Sequence, residues 1–271
     1  MINIEGQKFI INNRMLFPYF DPNVVFSTEK QLIKKEIKNN NCILLRYISD
    51  FDNPNYSKFW YIIKDEIVPI KEFSTNTRSQ VKKGLKNCEV KLVSHEFFRS
   101  NCYEIYASSI VSYGQVPILK EEFKKISNDN EERDFWVVFI KESNTPIAYS
   151  SNKISTSSAN YTYIKYHTDY KNLYASYALH YEMDKYYLEE KKLKYVNVGA
   201  RSLLHESGVQ DFLIKKFKYR KAYCKLNIVY SPLFGFLVKF IYPFRGLINK
   251  LSFKKLTKVK AILNQHEISS Q

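Results

Sequence analysis

The order of the elements predicted between residues 89 and 230 limits the fold of this 271-residue chain more than any other feature. Apolar residues alternate in the predicted strands and recur at helical spacing in the predicted helices. The resulting order, β-α-α-β-β-β-α-β-α-β, includes three consecutive strands and predicts an α/β fold that contains an antiparallel meander. The predicted strands are residues 89–93, 135–140, 146–151, 161–166, 195–199 and 222–230; the predicted helices are residues 98–110, 119–126, 175–192 and 209–216; the polar turns between strands include residues 143–145 and 155–160.

The two ends of the chain differ from this central segment. Before it, short strands and helices predict only a partial sheet, and after it the chain is rich in both basic and apolar residues. We therefore expect three parts: a partial N-terminal subdomain (1–88), a complete domain (89–230) and a basic amphipathic tail (231–271). In the first part, strands are predicted at residues 8–11, 42–48 and 59–63, and helices at residues 29–39 and 77–86.

Composition excludes several classes of protein. A hydrophobic content of 45%, with 16% aromatic residues, excludes a chain that is disordered throughout. The formal charge of +15 predicts an anionic partner: nucleic acid, acidic lipid or a phosphorylated small molecule. Four scattered cysteines argue against a structural zinc site or a disulfide framework, and are expected to be reduced, buried thiols. No secretory signal and no membrane span is predicted, so the expected compartment is the cytoplasm.

The element order from residue 89 to residue 230 resembles that of the GNAT acyltransferase superfamily. A closer resemblance is to its FemAB-like branch, the peptidyl and aminoacyl transferases of the bacterial cell envelope. Residues 76–86 (NTRSQVKKGLK) are similar to a basic helix of that branch, and residues 194–199 with 210–218 are similar to its strand and Phe- and Lys-rich segment. The resemblance implies a GNAT-like mixed central sheet flanked by helices, with a truncated GNAT-like N-terminal half.

The same resemblance implies a place for the acyl donor. In the GNAT fold the fourth and fifth strands diverge, and the donor enters between them with its pyrophosphate at the N-terminus of the helix that joins them. Here the corresponding segment is residues 170–176, which contain no glycine, although GNAT enzymes that use acetyl-CoA have a glycine-rich turn there. Lys171, Asn172 and Ser176 are the candidate donor-binding residues. The alternative is a solvated turn that leads into a helix.

The loop of residues 201–208 leaves the carboxyl end of a predicted buried strand and contains the main catalytic candidates. His205 can act as a general base because its ordinary pKa is near neutrality, and Glu206 can order the loop or hold a charge. Arg201 is a candidate clamp for an anionic donor. The alternative is that Glu206 or Ser207 caps the next helix and His205 is a surface residue.

Tyr166 is a third catalytic candidate because it lies near the end of its strand. Tyr163 and Tyr166 are expected on opposite faces of that strand, so only one of them can face a cleft. No Ser or Cys nucleophile arrangement and no metal site is evident in the sequence. Direct transfer from a bound donor needs neither.

Basic clusters supply candidate anion-binding residues. Arg78, Lys82 and Lys86 share one stripe of a predicted helix, and Lys215 and Lys216 begin a second cluster. The tail beyond residue 231 is aromatic and amphipathic as well as basic, which favours peripheral contact with anionic membranes. Such runs are also typical of solvated surfaces, and the tail can instead dock on its own domain.

Together these observations predict an N-acyltransferase-type enzyme that transfers an acyl or aminoacyl group directly to an acceptor related to the cell envelope. The donor is acyl-CoA or aminoacyl-tRNA, and a tRNA partner suits the positive charge because Lys and Arg bind phosphates. No metal cofactor is expected. The alternative is a non-catalytic module of GNAT fold that binds RNA or membrane through the same basic surfaces.

Overall fold

The computed structural model describes residues 1–125, 132–203, 208–251, 253 and 256–270. Its strands and helices form two units. The strands are β1 (Ile2–Ile4), β2 (Gln7–Asn12), β3 (Met15–Pro18), β4 (Leu44–Asn53), β5 (Phe59–Lys64), β6 (Cys88–Val93), β7 (Arg133–Ile140), β8 (Pro146–Ile154), β9 (Ser158–Tyr166), β10 (Tyr195–Ala200) and β11 (Arg220–Tyr230); the helices are α1 (Lys30–Asn39), α2 (Thr75–Asn87), α3 (His95–Asn101), α4 (Tyr103–Ser112), α5 (Lys120–Phe123), α6 (Ala175–Lys185), α7 (Gly208–Phe217), α8 (Pro232–Ile241), α9 (Arg245–Lys250) and α10 (Thr257–Ser269).

The first unit contains residues 1–61, 200–208 and 221–271. Its strands lie in the order β1-β2-β3-β4-β11, with β3 and β4 parallel and the other neighbours antiparallel. Helix α1 buries Ile33 and Ile37 against Phe9, Leu16 and Leu45. A second cluster joins Phe59, Leu226 and Ile268 of α10. Within the described part of the chain, no helix is long and apolar enough to span a membrane.

The second unit contains residues 62–199 and 209–220. Its strands lie in the order β10-β9-β8-β7-β6, and the meander β7-β8-β9 is antiparallel, as predicted. On one face, Phe98 and Ile105 of α3 and α4 pack against Phe135 and Val137 of β7. Helix α6 and the π-helical turn that follows it (Tyr186–Glu190) pack on the other face, where Trp136 donates a hydrogen bond to the Tyr187 hydroxyl. Because both faces of β7 are covered, its sequence is continuously apolar rather than alternating.

Sequence prediction failed at some element boundaries. Residues 158–160 were expected in a turn because Ser158 and Asn160 are polar, but they are the first residues of β9 and lie inside the sheet. The predicted helix at residues 98–110 is divided at Cys102 into α3 and α4. Strands β1 and β3 were not predicted. The four cysteines are buried and free, which confirms the expectation of unpaired thiols.

Each of the two units is made of stretches that are far apart in sequence, whereas each of the three predicted parts was a single continuous stretch. The segment from residue 221 to residue 230, expected in the central domain, is counted with the N-terminal residues. The division into residues 1–88, 89–230 and 231–271 stays a prediction about domains.

Candidate functional site

The parallel strands β9 and β10 pair only at their first residues. Tyr195 is opposite Ser158, Val196 is opposite Ala159 and Asn197 is opposite Asn160, and in the described structure no further rung joins the two strands. Strand β9 continues through residues 161–166, so backbone groups on the edge that faces β10 are left without a partner strand. The divergence implied by the GNAT resemblance is therefore present, and it begins after Asn160.

Asn197 occupies the last paired position before the strands diverge. Its side chain is buried, and its Oδ1 accepts a hydrogen bond from the Gly199 amide at 3.1 Å. Its Nδ2, however, has no hydrogen-bond partner among the described residues. A buried amide donor without a partner is costly, which makes a bound acceptor group at this position favourable.

His180 of α6 contains a second buried atom without a partner. The ring is 2% exposed, and its Nδ1 contacts no hydrogen-bonding group in the described part of the chain. Its Nε2 lies 3.4 Å from the hydroxyl of Tyr166. Burial lowers the pKa of His180 to about 4, assisted by Lys64 and opposed by Asp184, so the imidazole is neutral at pH 7.

Tyr166 faces α6, whereas Tyr163 does not. Tyr166 pairs with Ala148 and Tyr163 with Ser151, which lie on opposite faces of β8. The Tyr163 side chain is exposed, so the two tyrosines lie on opposite faces of β9, as expected, while the place of Tyr166 in a cleft stays a prediction. Burial raises the pKa of the Tyr166 phenol, which therefore remains a protonated hydrogen-bond donor at neutral pH.

A buried ion pair lies one helical turn beyond His180. The Asp184 carboxylate accepts from Lys64 Nζ at 2.8 Å and, through its other oxygen, from the hydroxyls of Tyr161 and Tyr219 at 3.0 and 2.6 Å. Lys64 and Asp184 are 3% and 0% exposed. Burial and the neighbouring carboxylate raise the pKa of both tyrosines, which keeps them protonated. With three donors already bound, Asp184 holds α6 in place and is not available as a base.

A second buried network beside α6 is also closed. The Tyr187 hydroxyl donates to Asp134 at 2.9 Å and receives hydrogen bonds from Trp136 Nε1 at 2.8 Å and Asn152 Nδ2 at 3.2 Å. Burial raises the pKa of Asp134, opposed by the hydrogen bond from Tyr187. These groups satisfy one another, so this network positions α6 and offers no reactive group.

The segment before α6 contains the predicted donor-binding residues. Lys171 and Asn172 are exposed in a 3₁₀ turn (Thr168–Leu173), and Ser176 is half-buried in the first turn of α6. The structure thus brings the three residues onto one short segment, while their role stays a prediction. The carbonyl of Tyr174 accepts the amides of Tyr177 and Ala178, so these two first-turn donors are already used.

Helix α2 packs closely against this first turn of α6. A Cβ atom at Gly84 would lie 2.7 Å from the Tyr174 carbonyl oxygen and 3.2 Å from the Ala178 Cβ, which only a glycine avoids. One residue earlier, the Lys83 ammonium lies 5.6 Å from the centre of the Tyr174 ring. A cation therefore stands beside the start of α6, where an anionic donor would also be favoured by the helix dipole.

The other basic candidates lie on helix surfaces of the same unit. Arg78, Lys82 and Lys86 follow one another along α2, and Arg78 donates to the carbonyl of Lys71 at 3.2 Å. Lys215 and Lys216 lie in the last turn of α7, and Lys215 is 3.8 Å from Asp211. Anion binding by these residues stays a prediction.

Arg201 belongs to the first unit and is bound to β5. Its amide donates to the carbonyl of Trp60, its Nη1 donates to the carbonyl of Lys58 at 2.6 Å, and its guanidinium lies 4.5 Å from the centre of the Trp60 ring. The ammonium of Lys221 lies 4.1 Å from the same ring. His205 and Glu206 lie outside the described residues, so their predicted catalytic roles stay predictions.

Sequence reasoning did not select His180, Asn197, Lys64 or Asp184 as site residues. One signal was present in the sequence: His180 and Asp184 are four residues apart on one face of α6 whose other buried residues are mostly apolar. Lys64 gave no such signal, since a lysine at a strand end is usually exposed. Among the described residues, no group of three or more His, Cys, Asp or Glu side chains is placed to hold a metal ion.

Comparisons with known proteins give similar structures only. No protein-family model matches the sequence, and no curated protein matches it. FemX is similar over 84% of this chain and 85% of its own, with a TM-score of 0.56 and 11% identity. L-PGS from Bacillus licheniformis covers 98% of this chain and 87% of its own, with a TM-score of 0.54 and 11% identity.

A third structure is the C-terminal domain of a putative lysylphosphatidylglycerol synthetase from Agrobacterium fabrum. It is similar over 85% of this chain and 82% of its own, with a TM-score of 0.52 and 10% identity. At such low identity these likenesses establish the fold and leave the reaction open. The fold class predicted from the sequence, a GNAT-like mixed sheet flanked by helices, is confirmed, and the chain shares its fold with FemX and L-PGS.

Proposed function

We propose that the protein is a transferase that moves an acyl or aminoacyl group from an activated donor directly to an acceptor. The observation that carries this proposal is the divergence of β9 from β10, with the orphaned Asn197 Nδ2 at its apex. An extended donor arm in this gap would give the unpaired backbone groups of β9 their partners. The fold shared with FemX and L-PGS supports a transferase of this type.

The reaction requires little of the protein beyond positioning and proton transfer. The acceptor nitrogen or oxygen bonds to the donor carbonyl carbon, the bond from that carbon to the donor's leaving atom breaks, and the acceptor's proton ends on that leaving atom. Tyr166 is a protonated phenol suited to donate toward the leaving atom, and His180 orients it through Nε2. His205, with Glu206, remains our proposed base, and Arg201 our proposed clamp for the donor.

Aminoacyl-tRNA is the donor we favour over acyl-CoA. The turn before α6 has no glycine and is occupied by a 3₁₀ turn, which removes the usual cradle for a coenzyme A pyrophosphate. Lys83 and the row Arg78, Lys82 and Lys86 instead offer point charges on a helix surface, which suit a polyanionic nucleic acid. We propose an acceptor related to the cell envelope, because FemX and lysylphosphatidylglycerol synthetase share this fold.

The same turn also favours a second candidate function. A GNAT fold without a donor cradle can serve as a non-catalytic module that binds RNA or membrane through its basic surfaces. The two candidates differ in one measurable respect: a transferase binds the aminoacyl group as well as the tRNA, whereas an RNA-binding module does not distinguish charged from uncharged tRNA.

Thermal denaturation with coenzyme A, acetyl-CoA, uncharged tRNA and mixed aminoacyl-tRNA separates these possibilities. A ligand at 100 times its Kd stabilises the folded state by about 2.7 kcal/mol, which corresponds to a rise of several degrees in Tm. We expect a larger rise with aminoacyl-tRNA than with uncharged tRNA. Equal rises support the non-catalytic module, and a rise with acetyl-CoA alone replaces our choice of donor.

The control is Asn197→Leu, which removes the orphaned donor. Its Tm without ligand should change little, because the loss of an unpaired buried amide offsets the loss of the bond from Gly199. The extra rise caused by the aminoacyl group should disappear. If it persists in full, the donor does not lie between β9 and β10.

A further inference from the structure

The first unit presents a continuous row of exposed apolar side chains along α8 and α9. They follow at helical spacing on one face, while Val238 on the opposite side of α8 is buried. Exposed apolar groups in such a row are unfavourable in water and indicate an interaction surface. Together they form what we term the apolar row: Leu233, Phe236, Leu237, Phe240, Phe244 and Leu247.

A groove with a basic wall lies beside the beginning of this row. Its volume is about 660 Å³, and α8 contributes Leu233, Phe234 and Leu237 to it. The facing wall is α1, which contributes Lys34 and Lys38. We call this feature the basic groove; Lys35 and Arg14 also line it.

Charge in this region is almost entirely positive. Lys239 and Lys250 lie exposed on α8 and α9. Glu267 is close to Arg245, with the nearest atoms 3.4 Å apart, so its charge is partly offset. Glu36, on α1, accepts a hydrogen bond from Asn40. Lys254 and Lys255 lie outside the described residues.

We propose that the apolar row and the basic groove together dock the protein on the surface of a bilayer that contains anionic phospholipid. The row would enter the boundary between headgroups and acyl chains, while the lysines of the groove face lipid phosphates. Helices α8 and α9 are too short to span the bilayer, so they lie along its surface. This inference is independent of the proposed transferase activity.

Charge complementarity selects a membrane over a second copy of the chain. If the same face of two copies met, Lys34 and Lys38 of one would approach those of the other, which costs free energy. An anionic bilayer provides the opposite charge to the same residues. It also accepts a row of aromatic side chains without a matching pocket.

Sedimentation with vesicles of phosphatidylcholine, with and without phosphatidylglycerol, tests the proposal. The full chain should sediment with phosphatidylglycerol vesicles, and more weakly as salt rises. Phe236→Ser with Phe240→Ser should weaken partitioning at least about tenfold, because both rings are more than half exposed in the free protein. Lys34→Glu with Lys38→Glu should weaken it at least about 25-fold, since each lysine near such a surface contributes a factor of about five.

Matched controls use residues elsewhere on the surface. The control for the phenylalanine variant is Val111→Ser with Val116→Ser, which also replaces two exposed apolar residues. The control for the lysine variant is Lys125→Glu with Lys192→Glu, which also reverses two exposed charges. Both controls should sediment with the vesicles like the parent. Circular dichroism confirms that each variant is folded. Equal binding by all variants overturns the proposal, as does equal binding to pure phosphatidylcholine. A dimer in solution that Phe236→Ser with Phe240→Ser dissociates, without vesicle binding, also overturns it in favour of self-association.

Discussion

The buried pair of Lys64 and Asp184 permits a quantitative test of how α6 is held. Removing one partner leaves the other charge buried without compensation, which costs about 3–5 kcal/mol. We therefore expect Lys64→Met and Asp184→Asn each to lower the free energy of unfolding by about that amount. That is a large fraction of the 5–15 kcal/mol typical of a folded domain.

The double variant should lose far less unfolding free energy than the two single variants lose together. Lys64→Met with Asp184→Asn removes both charges, and the asparagine Oδ1 still accepts from the hydroxyls of Tyr161 and Tyr219. We expect it within about 2 kcal/mol of the parent, which corresponds to a coupling of roughly 4–10 kcal/mol between the two sites.

Urea unfolding followed by tryptophan fluorescence measures these differences. Because Trp60 and Trp136 lie in different units, a Trp60→Phe background restricts the signal to Trp136 and the second unit. If the losses of unfolding free energy in the two single variants add up in the double variant, with a coupling below about 1 kcal/mol, the uncompensated buried charge is not the main cause of the destabilisation and our reasoning is refuted. Single variants as stable as the parent would refute the pair itself.

Two further predictions concern His180 and the loop after β10. Because the folded-state pKa of His180 is lowered to about 4 while the unfolded value is about 6.5, the unfolded chain binds an extra proton between these pH values. The contribution of His180 to stability should therefore be complete above about pH 6.5 and be lost, to the extent of about 3 kcal/mol, as the pH drops to about 4. His180→Gln should flatten that part of the plot of urea midpoint against pH, and an unchanged slope would assign the pH dependence to other groups. In a transfer assay with an identified donor, His205→Ala should lower turnover by about 100- to 10,000-fold, while Arg201→Ala should chiefly raise the KM for the donor. If both variants are folded and transfer the group at the rate of the parent, the loop of residues 201–208 has no catalytic role.

The sequence was informative wherever local periodicity decides the element. The meander, α6 and the strand that follows it were all predicted, because their apolar residues repeat at the spacing of their own secondary structure. The order of these elements resembles that of the GNAT superfamily, and this resemblance implied that the strands now called β9 and β10 diverge; the structure adds that the divergence begins after Asn160.

Prediction failed where distant contacts decide the structure. Ser158 and Asn160 have the composition of a turn, and only pairing with β8 and β10 makes them strand residues. Strand β3 was missed because the turn that joins it to β2 contains no glycine. The two turn residues, Asn13 and Arg14, have positive φ angles, which usually indicate glycine. Arg14 is held there by hydrogen bonds to Asn41, 27 residues away.

The candidate site was harder to predict than the fold for the same reason. Asn197 and His180 are site candidates because each has a buried polar atom without a hydrogen-bond partner among the described residues. Whether such an atom has a partner depends on every residue packed around it, and the sequence does not show these contacts. The GNAT resemblance selected Lys171 near the start of α6, whereas Lys83 was noted only as part of a basic cluster and was not singled out as a site residue. The close approach at Gly84 that brings α2 to this position has no local signature beyond the glycine itself.

The long chain separation within the Asp184 cluster has a kinetic consequence. Lys64 and Asp184 are 120 residues apart in sequence, so closing the loop between them is entropically expensive and we expect their contact to form after the folding transition state. A contact that forms late hardly alters the folding rate and acts by slowing unfolding. At about 4 kcal/mol, it would lengthen the lifetime of the folded unit by roughly a thousandfold. Where a protease cleaves the opened chain faster than it refolds, resistance follows the unfolding rate, so Asp184→Asn should be degraded faster than the parent.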